Sequence, residues 1–534
     1  MSVPVSASPT APTAYDQVPY PRWTGFITHP NRLASLAHLF GLDPPDIAGA
    51  RVLELATASG ANLLPMAYSL PHAQFVGVDL SRVQIEEAQR SAEQLGMTNV
   101  RFEHKNILEI DRDFGEFDFI LAHGVYSWVP PAVQDKILQI CGTNLSPKGI
   151  AYISYNTLPG WRSIQVVRDL MLWHVRDIRD PQERIKQARA VLKFQIQSMA
   201  SRDGAHAKVL QEHFELFEPR NDAYLFHELL AEYNEPEHFS QFVARAAKHG
   251  MQYLCEAVPR EVGEDSISPQ VLESLRQAGD RMVYEQYLDF LLMRRFRRSL
   301  LCRTGQPVAS SPRPERIPRF RVASASRPDS NEPDVVTVSV EHFKTGLGTR
   351  VSVSNPIDKA ALVVLAHEAP RGIPFEELVD LARAKCRQPQ ELADPISRAG
   401  DVRRLCDALV ILYIGNAVEL ELNESRAQLT LSDRPTASRV ALWEEKLDTT
   451  AVSNLRHQAV KLKNPVTRQL FPALDGTRDR AGLIEYLVER VRLGKLKVEE
   501  SGVPVTNREF LEGVLGQQLE VSLDEIRRMS LLEG

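Results

Sequence analysis

The segment Arg51-Val-Leu-Glu-Leu-Ala-Thr-Ala-Ser-Gly60 constrains the fold more than any other part of the chain. Val52 to Leu55 is a short apolar run carrying one acidic residue, Glu54, and the small residues after it lead into a helix. A second apolar run, Phe75-Val-Gly-Val-Asp79, ends in another acidic residue. Strand, helix and strand at this spacing make the first βαβ unit of a doubly wound parallel sheet. In such sheets ligands bind beyond the carboxyl ends of the strands.

Glu54 narrows the choice of ligand. A dinucleotide fold uses its first loop to neutralise a pyrophosphate at a helix N-terminus. A carboxylate there suits a cation instead. S-adenosyl-L-methionine carries a sulfonium and an ammonium and no phosphate, so it is the better fit. The cofactor candidates are Glu54 for the ammonium end, Ala56 and Gly60 in the loop, and Asp79 with Leu80 at the ribose. Asn106 and the Ile107 backbone, after the third strand, would read the adenine edge. Asp and Asn are also common turn residues; their recurrence at successive strand ends favours the nucleoside.

Strand candidates fall at 51–55, 74–79, 100–105, 117–122 and 149–155, with the near-continuous apolar pattern of strands buried on both faces. Ser81 and Gln84 form a capping-box signature for the helix after the second strand, and Gly96 marks its end. Residues 15–161 are therefore expected as one α/β unit behind a disordered lead-in, 1–14. From 162 to 302 strand signals nearly vanish, which predicts a helical domain. Arg294, Arg295, Arg297 and Arg298 read there as a solvated helix face. Residues 303–335, rich in Pro, Ser and Arg, read as a linker with one strand at 316–323. The region 336–534 is expected to be winged-helix-like and helical. It has a hairpin at 336–353, helices near 357–368, 374–386 and 398–414, and wing strands at 417–422 and 428–431.

With 534 residues the chain should hold several domains. Its net charge of −6 gives no global case for nucleic acid. No apolar run approaches the roughly 20 residues of a membrane span, and the N-terminus lacks the regions of a secretory signal. Five scattered cysteines without a CxxC spacing argue against a disulfide framework or a zinc site. No metal is expected, and cytoplasmic is the default location.

Strand four runs into Ala122-His-Gly-Val-Tyr-Ser-Trp-Val-Pro130, and strand five into Ser154-Tyr-Asn-Thr-Leu-Pro-Gly-Trp161. Both segments lie where a substrate must approach a sulfonium. His123, Tyr126, Trp128, Tyr155 and Asn156 are the candidates for positioning it, because aromatic faces suit an amine cation. Buried aromatics equally mean core. Methyl transfer from a sulfonium is an in-line displacement in which alignment carries much of the catalysis. Desolvation lowers a lysine pKa from about 10.4, so no dedicated base is essential; His123 is the candidate for one.

The chain resembles bacterial class I methyltransferases that carry a methyltransferase regulatory domain, including the rickettsial-type protein lysine methyltransferases. The resemblance rests on Tyr15-Asp-Gln-Val-Pro-Tyr20, Thr28-His-Pro30, the 51–79 segment, His123-Gly-Val-Tyr-Ser-Trp-Val129 and Ser154-Tyr-Asn-Thr-Leu-Pro-Gly-Trp161. It continues through Tyr224-Leu-Phe-His-Glu228, Gln252-Tyr-Leu-Cys-Glu-Ala257, Asn454-Leu-Arg-His457 and Asp475-Gly-Thr-Arg-Asp-Arg480. It implies a Rossmann-like α/β methyltransferase domain, a helical regulatory domain and a winged-helix-like C-terminal region. It further implies methylation of protein lysines, with outer-membrane proteins as the substrates of the rickettsial branch, and nominates Tyr15, Tyr20 and His29 to close over the cofactor. Similar enzymes usually have Gly where this chain has Ala56, and often at Ala58. A small-molecule methyltransferase, and a non-catalytic scaffold with a degenerate cofactor loop, are the alternatives; a nucleic-acid enzyme is disfavoured by charge. Oligomeric state is left open.

Overall fold

The computed structural model describes residues 14–18, 22–199, 204–263, 266–277, 279–346, 348–447, 451–500, 503–505 and 507–533. Strands β1 (Arg51–Leu55), β2 (Gln74–Asp79), β3 (Val100–His104), β4 (Phe117–Ala122) and β5 (Leu145–Leu158) run parallel in the order β3-β2-β1-β4-β5. The chain leaves β1 for β2 on one side and reaches β4 on the other, which opens a crevice beyond the β1 tip. Helix α1 (Pro30–Leu39) precedes the sheet; α2 (Leu63–Ser69) and α3 (Arg82–Gln94) connect its first three strands. The Ser81 hydroxyl accepts from the Gln84 N–H at 3.2 Å, and Gly96 ends the α3 region at φ +63°.

The stretch 162–302, expected as a helical domain, is helical through much of its length but also supplies strands. Strands β6 (Met251–Glu256) and β7 (Phe296–Arg303) extend the sheet as β3-β2-β1-β4-β5-β7-β6, with β7 antiparallel to both neighbours, and the short strand Glu237–His238 pairs with the end of β5 as its eighth strand. Helices Trp161–His174, Pro181–Met199 and Ala205–Phe217 occupy the excursion between β5 and β6. The basic run is not a solvated helix face: Arg297 lies in β7 and is 1% exposed. Its guanidinium contacts Glu256 at 2.7 Å, Glu285 at 3.0 Å and Asp289 at 2.8 Å. A buried cation needs such partners; Glu256 comes from 41 positions away and Glu285 and Asp289 from the preceding helix Arg281–Leu291, so the arginines hid the strand.

Further along, Arg321–Ala323 pairs with Ile373–Pro374 and Glu419–Glu421 in a three-stranded sheet. Helices Pro356–Glu368, Phe375–Cys386 and Pro395–Ile414 match the three expected. The wing strand expected at 428–431 does not form; Ala427 makes only an isolated bridge to Glu533. Residues from 437 onward pack a separate core around Leu470, Leu483, Leu515 and Leu523. The Ser35 hydroxyl donates to the Leu420 carbonyl at 2.9 Å, tying α1 to the three-stranded sheet. No helix among the described residues is long and apolar enough to cross a membrane.

Candidate active site

Glu54, near the end of β1, is 4% exposed. Thr57 donates its hydroxyl to one carboxylate oxygen at 2.7 Å, and the Asn62 amide donates to the other at 2.6 Å. Burial pushes this carboxyl up to about 7 despite those bonds, with the Asp79 charge adding to the rise. Two neutral donors therefore hold a carboxyl that an approaching cation would return to the ionised form.

The loop after β1 turns through the left-handed region at Ala56 (φ 58°), Ala58 (φ 50°) and Gly60 (φ 71°). That conformation costs a residue with a Cβ about 1–2 kcal/mol. At Gly60 a Cβ would also stand 2.6 Å from the Phe102 ring. Conformation and space both demand glycine at 60. The half-buried positions 56 and 58 hold a methyl group at a conformational cost alone.

Asp79 accepts from the Ala58 N–H and the Ser81 N–H, each at 2.8 Å. It thereby fixes the loop while keeping lone pairs for further donors; burial raises its carboxyl above the usual range. Leu80, beside it, is an apolar side chain 48% exposed. Asn106 caps a short helical turn by accepting from the Leu108 N–H at 3.0 Å, and Ile107 follows half-buried. Leu80 and Ile107 thus offer apolar surface at the tips of neighbouring strands.

An N-terminal strap crosses this loop. The Ser81 hydroxyl donates to Asp16 at 2.6 Å, and Val18 packs among the helices that follow β5. Trp23 stacks on His123 with ring centroids 4.1 Å apart, the Thr24 hydroxyl donates to the Ala61 carbonyl, and Gly25 donates to Asn62. Tyr20 lies outside the described residues, as does the side chain of Tyr15. His29 caps α1 by accepting from the Asn31 N–H, lies 3.4 Å from the Ser69 hydroxyl and has its ring centroid 5.4 Å from that of His457.

On the substrate side the candidates divide. His123 receives Trp23 on its face, and its Nδ1 is 2.8 Å from the Tyr152 hydroxyl. Burial, with Arg298 nearby, pushes this imidazole down to about 3, which makes it a poor base at neutral pH. Tyr126 and Tyr155 are core residues, 0% and 1% exposed, and both pack on Phe242. Trp128 is half-buried against Trp161. Asn156, at the tip of β5, is held by its backbone N–H on the Ser127 hydroxyl at 2.8 Å, and its amide nitrogen is buried without a partner. Thr57, Asn62 and Trp23 joined the site only in the structure, because each acts through a partner distant in sequence or hidden in a loop.

An eight-stranded sheet with one antiparallel strand beside β5, and acidic residues, Glu54 buried and Asp79 half-buried, at the tips of β1 and β2, defines a class I methyltransferase fold. Residues 47–215 match a methyltransferase domain family, 221–303 a predicted methyltransferase regulatory domain, and 433–531 the C-terminal winged helix domain of PKMT. That last match falls inside the 336–534 region expected to be winged-helix-like and helical, C-terminal to the wing strands assigned at 417–422 and 428–431. An uncharacterized protein of Rickettsia prowazekii, RP789, is 33% identical over 502 residues, covering 93% of this chain and 89% of its own. The structure of PKMT2 from Rickettsia typhi in complex with AdoHcy has a TM-score of 0.85 and 29% identity, over 97% of this chain and 100% of that one. The chain belongs to this family of methyltransferases with a regulatory domain and a PKMT-type winged helix domain.

Proposed function

We infer that the chain transfers a methyl group from S-adenosylmethionine to lysine side chains of proteins. The observation that carries the donor is the buried Glu54 carboxyl, pushed up to about 7 beside a loop that Asp79 fixes. The likeness to rickettsial PKMT2 along 97% of the chain supports a protein lysine as acceptor. When bound, the donor supplies an electrophilic methyl carbon on a sulfonium. Glu54 would hold the ammonium end, Asp79 the ribose, and Leu80 and Ile107 the faces of the adenine. The lysine nitrogen lone pair forms the new C–N bond as the C–S bond breaks, the electron pair leaves on sulfur, and the nitrogen proton passes to water. Asn156, with its unpartnered amide, and Trp128 would orient the acceptor. His123 would serve as a stacked wall rather than a base. Outer-membrane proteins are the acceptors the family resemblance nominates, and the five buried, unpaired cysteines suit a cytoplasmic setting.

The test supplies isotopically labelled S-adenosylmethionine with a bacterial protein extract and with the small-molecule fraction of the same cells. Label recovered as methyllysine after hydrolysis of the protein supports the reading. Label confined to small molecules would replace the acceptor, and no transfer at all would leave a non-catalytic scaffold.

A further inference from the structure

We propose that His457, in the C-terminal unit, is a positioning residue of the nucleoside site, so that docking of that unit sets the affinity for the methyl donor. The inference rests on reading the β1 and β2 tips as that site. Strands Val452–Ser453 and Ala459–Val460 form a hairpin whose turn reaches the methyltransferase sheet. The Ser453 hydroxyl contacts the Thr24 hydroxyl of the strap at 3.1 Å. At the turn, His457 is 0% exposed with its backbone at φ 60°, and its Nε2 lies 2.9 Å from the Asn62 side-chain oxygen.

The geometry fixes who donates. The Asn62 amide nitrogen donates to Glu54 at 2.6 Å and to the Thr28 hydroxyl at 3.1 Å. Its oxygen is therefore the atom facing His457, and Nε2 carries the proton. Burial, with His29 close by, keeps this imidazole neutral. An asparagine amide has nearly the same shape in either orientation, and only its partners choose between them. The Gly25 N–H donates to the same oxygen at 3.3 Å, so His457 supplies the shorter of two donors that keep the amide nitrogen turned to Glu54, and without it only the longer bond holds that side of the amide. His457 thus holds the amide that holds the carboxylate. Because linkage is reciprocal, the bound donor in turn holds the hairpin in place.

The test is calorimetric titration of the full chain with S-adenosylhomocysteine, using His457→Ala, His457→Gln, Asn62→Ala and the double variant His457→Ala/Asn62→Ala. Loss of one buried hydrogen bond predicts about tenfold weaker binding for His457→Ala. Glutamine, whose amide nitrogen can stand where Nε2 stands, should restore affinity to within roughly threefold. In the Asn62→Ala background, His457→Ala should change affinity by less than about twofold, since the two residues act in series. Equal losses in both backgrounds, or a folded His457→Gln as weak as His457→Ala, overturn the proposal. If His457→Ala fails to fold, the folded His457→Gln decides: near wild-type affinity supports the proposal and a tenfold loss overturns it. A wild-type chain that does not bind overturns the nucleoside reading and this inference with it.

Discussion

Replacing Glu54 by glutamine should stabilise the ligand-free protein above pH 7 and at the same time abolish tight binding of S-adenosylmethionine. Burial raises the Glu54 carboxyl from 4.5 to about 7. At ~1.4 kcal/mol per pH unit, that is a preference of about 3 kcal/mol for the protonated form in the folded state. The folded value lies above the unfolded one. The group's stabilisation is therefore complete below pH ~4.5 and is lost as the pH rises through about 7. Glutamine keeps the shape, accepts from Asn62 through its oxygen, and turns its amide towards the Thr57 hydroxyl, which can reverse its role. Denaturant unfolding at pH 5 and pH 8 should therefore show a gap between variant and wild type that widens towards about 3 kcal/mol at the higher pH. Calorimetry should show the opposite for ligand. Wild-type affinity should fall about tenfold per pH unit below 7 as Glu54 takes up a proton, and the variant should lack both the affinity and the slope. Wild-type affinity retained by Glu54→Gln, or a stability gap that does not change with pH, would refute the reasoning.

Ala56→Gly should stabilise the fold by about 1 kcal/mol, because φ 58° favours a residue without a Cβ, and should leave donor affinity equal or better; thermal unfolding with and without ligand checks both. Asp79→Asn places an amide where the Ala58 and Ser81 N–H groups need acceptors and should weaken donor binding at least ~100-fold by calorimetry. Arg297→Ala leaves Glu256, Glu285 and Asp289 buried together and should cost about 3–5 kcal/mol in denaturant unfolding. Asn156→Ala should lower kcat roughly 100-fold with donor affinity unchanged, measured by transfer to a methylatable protein.

β1, β2, β4 and β5 were legible because each is apolar enough to reveal itself locally, the edge strand β3 (Val100–His104, only Phe102 buried) by its place in the strand–helix alternation, and the Ser81 cap and Gly96 stop mark α3. β7 was not, because Arg297 carries a charge whose burial is made possible by three carboxylates remote from it in sequence or hidden on a helix. The same divide runs through the site. Glu54 and Asp79 announce themselves by position at strand ends, and Gly60 by its place in the small-residue loop after the first. Tyr126 and Tyr155, chosen because they follow the right strands, point instead into the core beside Phe242, which only the register decides. Asn62 and His457 lie 395 positions apart, and nothing local to either foretells their contact.

The crystal structure of the chain with S-adenosylhomocysteine tests the central claim most directly. The account predicts the ammonium within hydrogen-bonding reach of Glu54, both ribose hydroxyls on Asp79, and the adenine between Leu80 and Ile107 with Asn106 at its edge. A nucleoside bound elsewhere, or Ala56 found blocking the crevice, would contradict it.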